Sequence, residues 1–148
     1  MALRNIVKEG DPTLRKISRS VINFDEKLCQ LLDDMAETMY EADGCGLAAP
    51  QVGILRRLCV VDVGDGLIEL VNPVVTCEEG EQEETEGCLS CPGDYGVTRR
   101  PMKVTVKAQD RNGNTFTIDG EGLKARAFCH EIDHLNGILF KDKVIRKD

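Results

Sequence analysis

The stretch that most constrains this chain lies near its end: Cys129-His130-Glu131-Ile132-Asp133-His134. Positions four apart on an α-helix share one face, one turn apart. A helix here can turn the imidazoles of His130 and His134 on a single metal ion. Glu131, next to the first imidazole, can then reach a water on that ion, which is the H-E-x-x-H arrangement of metal-dependent hydrolases. The bland alternative is a pair of satisfied helical histidines. Against it stands the count: the chain has only two histidines, and both are here with the glutamate between them.

A hydrolytic centre also needs a third protein ligand and one open position. One known solution places a third histidine after H-E-x-x-H-x-x-G-x-x. Gly137 matches its glycine, but Phe140 stands at the histidine position. Another uses a later glutamate, and none follows Glu131. Asp142 and Asp148, close to the end, make poor candidates. The third ligand is therefore expected upstream, with cysteine the natural type. Glu86-Gly87-Cys88-Leu89-Ser90-Cys91-Pro92-Gly93 holds two cysteines with C-x2-C spacing. That spacing also fits half of a closed Cys2His2 structural site. Such a site would leave Glu131 nothing to act on, and Cys91 reads better as a buried apolar residue.

At 148 residues the chain is expected to form one domain, 1–148, with a real core. Its net charge of −7 argues against a broad grip on nucleic acid. No apolar run is long enough to span a membrane, and the start lacks a signal-peptide core. Seven cysteines, an odd number, suit a reducing cytoplasmic compartment better than a disulfide framework.

Gly10-Asp11-Pro12 predicts a cap and a short helix to about Ser18. A longer helix is expected from about Asp25 to Ala42, with Leu28, Leu31, Leu32, Met35 and Met39 as its core stripe and Gly44 as its cap. Gly44-Cys45-Gly46-Leu47-Ala48-Ala49-Pro50-Gln51-Val52-Gly53 reads as a small-residue loop. Its glycines let the backbone approach a ligand, with the Gln51 amide beside it. Strands are expected at 58–63, at 67–72 ending at Pro73, at 74–77, near 96–99, at 103–109 and at 115–118. The acidic run Glu78 to Glu86 reads as a solvated loop or edge strand. The last helix, about 121–136, is apolar on both sides of its histidines, so it is expected to be buried, with Gly137 as its cap. The fold class is α+β: mostly antiparallel strands packed around a central metal-binding helix that carries the H-E-x-x-H pattern.

Three stretches, Gly44-Cys45-Gly46-Leu47-Ala48-Ala49-Pro50-Gln51, Glu86-Gly87-Cys88-Leu89-Ser90 and His130-Glu131-Ile132-Asp133-His134, resemble in order and separation the signature motifs of the peptide deformylase family. The opening from Ile6-Val7 to Leu14-Arg15 also resembles it, so the likeness covers nearly the whole chain. H-E-x-x-H alone is moderately specific, whereas the three motifs together are very specific.

The resemblance implies an enzyme that removes the formyl group from N-formylmethionine of nascent polypeptides in a bacterial cytoplasm. It implies Cys88, His130 and His134 as metal ligands and Glu131 as general base and acid. Gln51 and the Leu89 N–H would stabilise the oxyanion, and Gly46 would line the substrate groove. The implied metal is ferrous iron, with nickel, cobalt or zinc as substitutes, and a thiolate ligand makes the iron form oxygen-sensitive. Small residues Gly46, Ala48 and Gly87 would leave room for an extended peptide. A methionine pocket is expected from Phe128, Ala127 and Leu89, with Arg126 at its mouth. Arg99 matches a family position that pairs with Glu86, and with Asp133 these should support Cys88 and the metal helix. The substrate class suggests the ribosome, near the exit tunnel, as a partner, with no specific nucleic acid and no membrane.

Two departures stand out. Cys129 occupies a position that is often glutamine, and Cys91 one where a β-branched residue is common. Both bear on oxidation rather than on the reaction. The residues after Val144 are too few for the long C-terminal helix of some members. A zincin-like peptidase would share the metal site but would cleave unformylated peptides. A structural metal module would keep its metal after Glu131→Ala and turn nothing over.

Overall fold

The computed structural model describes residues 2–147. Asp11 caps a single 3-10 turn, Pro12–Arg15, which stops short of Ser18. Helix α1 spans Glu26–Glu41, and the Asp25 carboxylate accepts the Leu28 N–H at 3.0 Å. Its expected stripe, Leu28, Leu31, Leu32, Met35 and Met39, is buried. Each side chain of that size contributes roughly 1.5–3 kcal/mol on burial. The helix ends differently from the expectation. Asp43, not Gly44, takes the left-handed conformation (φ 57°), and the Gly44 N–H returns to the Met39 carbonyl at 3.0 Å.

The glycine-rich stretch is not all loop: β1 is Gly46–Ala48, followed by a 3-10 turn, Ala49–Val52. Strand β2 is Leu58–Val61, and β3 runs unbroken over Ile68–Glu79. Pro73 therefore does not end a strand. It sits where the register slips between Val71 and Val74, beside Asn72 at φ 51°, so its missing N–H costs no ladder bond. The acidic run turns from β3 into β4, Gln82–Cys88, an edge strand as one of the two readings had it. Then come β5, Cys91–Arg100, β6, Lys103–Gln109, and β7, Thr115–Glu121. Because β7 stays paired with β6 as far as Glu121, helix α2 starts only at Leu123 and ends at Leu135. Gly137 is left-handed (φ 74°), as its capping role requires. Strand β8, Val144–Arg146, follows.

The strands form two antiparallel sheets, ordered β1-β2-β3-β6-β7 and β4-β5-β8. The larger sheet is buried on both sides at β1 and β2. Leu47, Leu58, Val60 and Val71 pack against α1. Ala48, Cys59, Val61 and Leu70 pack against Phe128, Ile132 and Leu135 of α2. Strict alternation on a strand makes this double burial possible. Helix α2 thus lies in the core, as its two apolar stripes predicted. Among the described residues no helix is long and apolar enough to cross a membrane.

Candidate metal centre and cleft

Helix α2 carries both histidines at 130 and 134, with ring centroids 4.9 Å apart. Cys88 arrives from the end of β4, and its Sγ lies 3.3 Å from His134 Nε2. Among the described residues, Cys88, His130 and His134 form a group whose ligand atoms all fall within 4.8 Å of one another. Cys91 is not in that group. It is buried, and burial, then the charge of Cys88, pushes its thiol up to about 12. Asp142 pairs with Arg15 at 2.5 Å, far from any ligand role, and Asp148 lies outside the described residues.

The residues fit a cation. Burial opposes a charge on His130, but Glu131, Cys88 and Glu86 outweigh it and hold its pKa well above the ordinary value. These anionic neighbours favour positive charge at this position. His134 is held well below the usual range by burial and then by the charge of His130, so it keeps a free lone pair. Thiolate and imidazole are a donor set for borderline divalent ions.

Glu131 is 4% exposed, and its Oε1 has no hydrogen-bond partner. Burial raises its pKa to about 7, and a neighbouring cation favours the carboxylate again. Its room comes from Gly46: a Cβ there would stand 2.8 Å from the Glu131 Cδ.

Gln51 is buried at the edge of the site. Its Oε1 accepts the Ala48 N–H at 2.9 Å, which fixes the amide's orientation. Its Nε2 reaches Ser90 Oγ at 3.1 Å and Cys88 Sγ at 3.5 Å. Ser90 is fully buried, and sequence reasoning gave it no role. Its place in the turn after Cys88 was the available signal.

Behind His130, Glu86 Oε2 stands 2.5 Å from Nδ1. The expected partner of Glu86 was Arg99; it is Arg100. Arg100 Nη2 lies 2.7 Å from Glu86 Oε2, and Nη1 lies 2.7 Å from Asp133 Oδ2. Thr98 adds a hydroxyl donor to Glu86 Oε1 at 2.6 Å. Arg99 points outward to Glu83. The cause is strand parity: Thr98 and Arg100 share the buried face of β5, and one residue's shift reverses a side chain's direction. Burial opposes ionisation of Glu86, but His130 and Arg100 prevail and hold its carboxyl well below the usual range.

A cavity of about 580 Å³ opens onto these groups. Of the residues expected along a substrate path, Gly46, Gly87, Gln51, Leu89, Ala127 and Arg126 line it. Phe128 and Ala48 do not. Phe128 is fully buried on the far side of α2, where its ring would meet a Cβ at Gly120 at 2.8 Å. Two residues on from Arg126 is about 200° around a helix, so Phe128 could not face the same way. Ala48 faces the core. Ile6, Lys8, Cys45, Tyr95 and Leu123, unassigned from sequence, line it as well. Arg126 reaches the Thr85 carbonyl at 3.3 Å.

The polypeptide deformylase family model matches residues 3–148. A peptide deformylase of Caldicellulosiruptor bescii is 62% identical over 146 residues, covering 99% of this chain and 88% of that protein. The crystal structure of a peptide deformylase from Legionella pneumophila is 50% identical, with a TM-score of 0.93 over 96% of this chain and 86% of that one. That of Thermotoga maritima is 43% identical, with a TM-score of 0.94 over 96% and 97%.

Proposed function

This chain belongs to the polypeptide deformylase family, metal-dependent enzymes that remove the N-terminal formyl group from nascent peptides, and we propose that Cys88, His130 and His134 hold its metal while Glu131 moves the proton. The observation that carries the assignment is the group of three ligand atoms within 4.8 Å, with the buried Glu131 carboxylate alongside. A divalent ion bound there would polarise the formyl carbonyl and acidify water.

The chain's own residues do the rest. The Glu131 carboxylate takes a proton from the attacking water and returns it to the departing amine. Its free Oε1 and its burial suit both halves of that task. The carbonyl oxygen gains charge as attack proceeds, and the Gln51 Nε2 and the Leu89 N–H are the donors for it. The Ala48 and Ser90 contacts hold the Gln51 amide in position beforehand, so little reorganisation is needed. Gly46 and Gly87 keep the cleft wall low for an extended peptide. Ala127, Leu89 and Leu123 offer apolar surface to a methionine side chain, with Arg126 at the rim.

Ferrous iron is the proposed metal, supported by the thiolate in the donor set, with nickel, cobalt or zinc able to replace it. The chain 1–148 is read as one catalytic domain, a reading supported by the family match over residues 3–148. Formylmethionyl nascent chains as substrate favour a bacterial cytoplasmic setting near the ribosomal exit tunnel, with no membrane and no specific nucleic acid as partner.

The test is formate release from a formyl-methionyl peptide by anaerobically purified, ferrous-loaded protein. Turnover is expected, and Glu131→Ala should abolish it while the metal stays bound. A folded, metallated protein that releases no formate would overturn the reading. For the rim, Arg126→Ala should change KM for charged substrates more than for neutral ones. Identical kinetics on both would remove Arg126 from the substrate path.

A further inference from the structure

The C-x2-C spacing, of which the metal site uses only half, has a structural setting of its own. Cys88 ends β4, Cys91 begins β5, and the two are direct partners across the turn Leu89-Ser90. Directly opposed residues of an antiparallel pair have Cα atoms about 4.5–5.5 Å apart. A disulfide spans roughly 4.4–6.8 Å between Cα atoms. Opposed side chains also leave the same face of a ladder. Cys88 lines the cleft, within reach of small solutes. Cys91 is 4% exposed, and the proposed mechanism does not use it. The Glu9 N–H donates to the Ser90 carbonyl at 2.8 Å, which ties Glu9 to the turn beside Cys91.

We propose that Cys88 and Cys91 form a reversible disulfide in response to peroxide, and that this bond withdraws Cys88 from the metal. The second half rests on the reading of Cys88 as a ligand. In the first step the Cys88 thiolate sulfur attacks one oxygen of hydrogen peroxide. The O–O bond breaks, the departing hydroxide takes up a proton as water, and Cys88 becomes a sulfenic acid. In the second step the Cys91 sulfur attacks the Cys88 sulfur and the S–O bond breaks. The Cys91 proton leaves with that hydroxide as a second water. Two thiols lose two electrons in all, and the peroxide accepts them. The Cys88 Sγ must leave its places 3.3 Å from His134 Nε2 and 3.5 Å from Gln51 Nε2 to reach Cys91. With no thiol at position 91, a sulfenic acid on Cys88 has no resolving partner in the turn and goes on to sulfinic acid.

The experiment titrates the zinc-loaded holoprotein with hydrogen peroxide, since zinc itself is not oxidised. Released zinc is read with a chromogenic chelator and the protein by mass after cleavage at glutamate. The fragment 87–121 contains Cys88 and Cys91 as its only cysteines. The expected result is loss of two hydrogen masses from that fragment in step with zinc release, both reversed by dithiothreitol. In Cys91→Val, or Cys91→Ser should the first fold poorly, the fragment should instead gain oxygen, and dithiothreitol should not restore zinc binding. A wild-type fragment without the linkage, or equal recovery in wild type and variant, overturns the proposal. A linkage that forms while zinc stays bound overturns instead the assignment of Cys88 as a ligand.

Discussion

The Nδ1 of His130 lies 2.5 Å from Oε2 of Glu86, and both side chains are buried. This bond occupies one ring nitrogen and leaves Nε2 as the atom that turns toward Cys88 and His134. A carboxylate behind a ligating imidazole orients the ring and raises its basicity. In the proposed metal centre, removing that carboxylate should therefore weaken metal binding without touching a ligand. Glu86→Gln is expected to bind metal about 10- to 100-fold less tightly, measured by competition with a chelator of known affinity. An unchanged affinity would make the His130–Glu86 bond incidental.

The same carboxylate sets an acid limit on stability. His130 and Arg100 hold the Glu86 pKa in the folded protein below its unfolded value. A depressed carboxyl contributes stability that is present above the unfolded pKa and is lost as pH falls through the folded one. Wild-type protein should lose stability as pH falls below about 4.5. Glu86→Gln, less stable at neutral pH, should show a shallower acid limb, so that the gap narrows. Urea midpoints taken between pH 3 and pH 6 test this, and a gap that widens on acidification would contradict it.

Arg100 is 2% exposed at its side chain and bridges Glu86 to Asp133, whereas Arg99 is 52% exposed beside Glu83. Breaking a buried pair by removing one partner typically costs roughly 3–5 kcal/mol. An exposed pair is worth about 0–1 kcal/mol. Arg100→Ala should therefore lower the denaturation midpoint strongly and Arg99→Ala barely. Equal losses would contradict the strand parity described above.

Ser90 and Gln51 separate a positioning role from a catalytic one. On the proposed mechanism Gln51→Ala removes a donor to the developing oxyanion and should lower kcat by roughly 100- to 1000-fold. Ser90→Ala leaves the Gln51 amide in place but takes away its 3.1 Å partner. Its kcat should fall by less, on the order of tenfold, with KM for the formyl peptide little changed. Steady-state kinetics of both variants distinguish the roles, and a larger loss in Ser90→Ala than in Gln51→Ala would reverse the assignment.

Much of this was legible before any fold was known, because it is local. The spacing of His130 and His134 follows from helical rise and turn alone, and so does the burial of α2, from its two apolar stripes. The core stripe of α1 is local as well. The motif likeness singled out Cys88 over Cys91, a choice that residue chemistry alone left open.

The tertiary structure decided what depends on a partner strand or a packing face. Whether Arg99 or Arg100 meets Glu86 depends on the phase of β5, and period-two alternation cannot be phased until its neighbours are known. Pro73 reads as a strand end until the bulge at Asn72 removes the need for its missing N–H. Phe128 reads as pocket lining until the sheet claims the opposite side of α2. Ser90 gains its role only because the turn after β4 brings its hydroxyl to an amide 39 positions away in sequence. Backbone geometry sets which residues of one element share a face. Only the packing of one element on another determines which of those faces meets the candidate metal centre, which meets the core and which meets water.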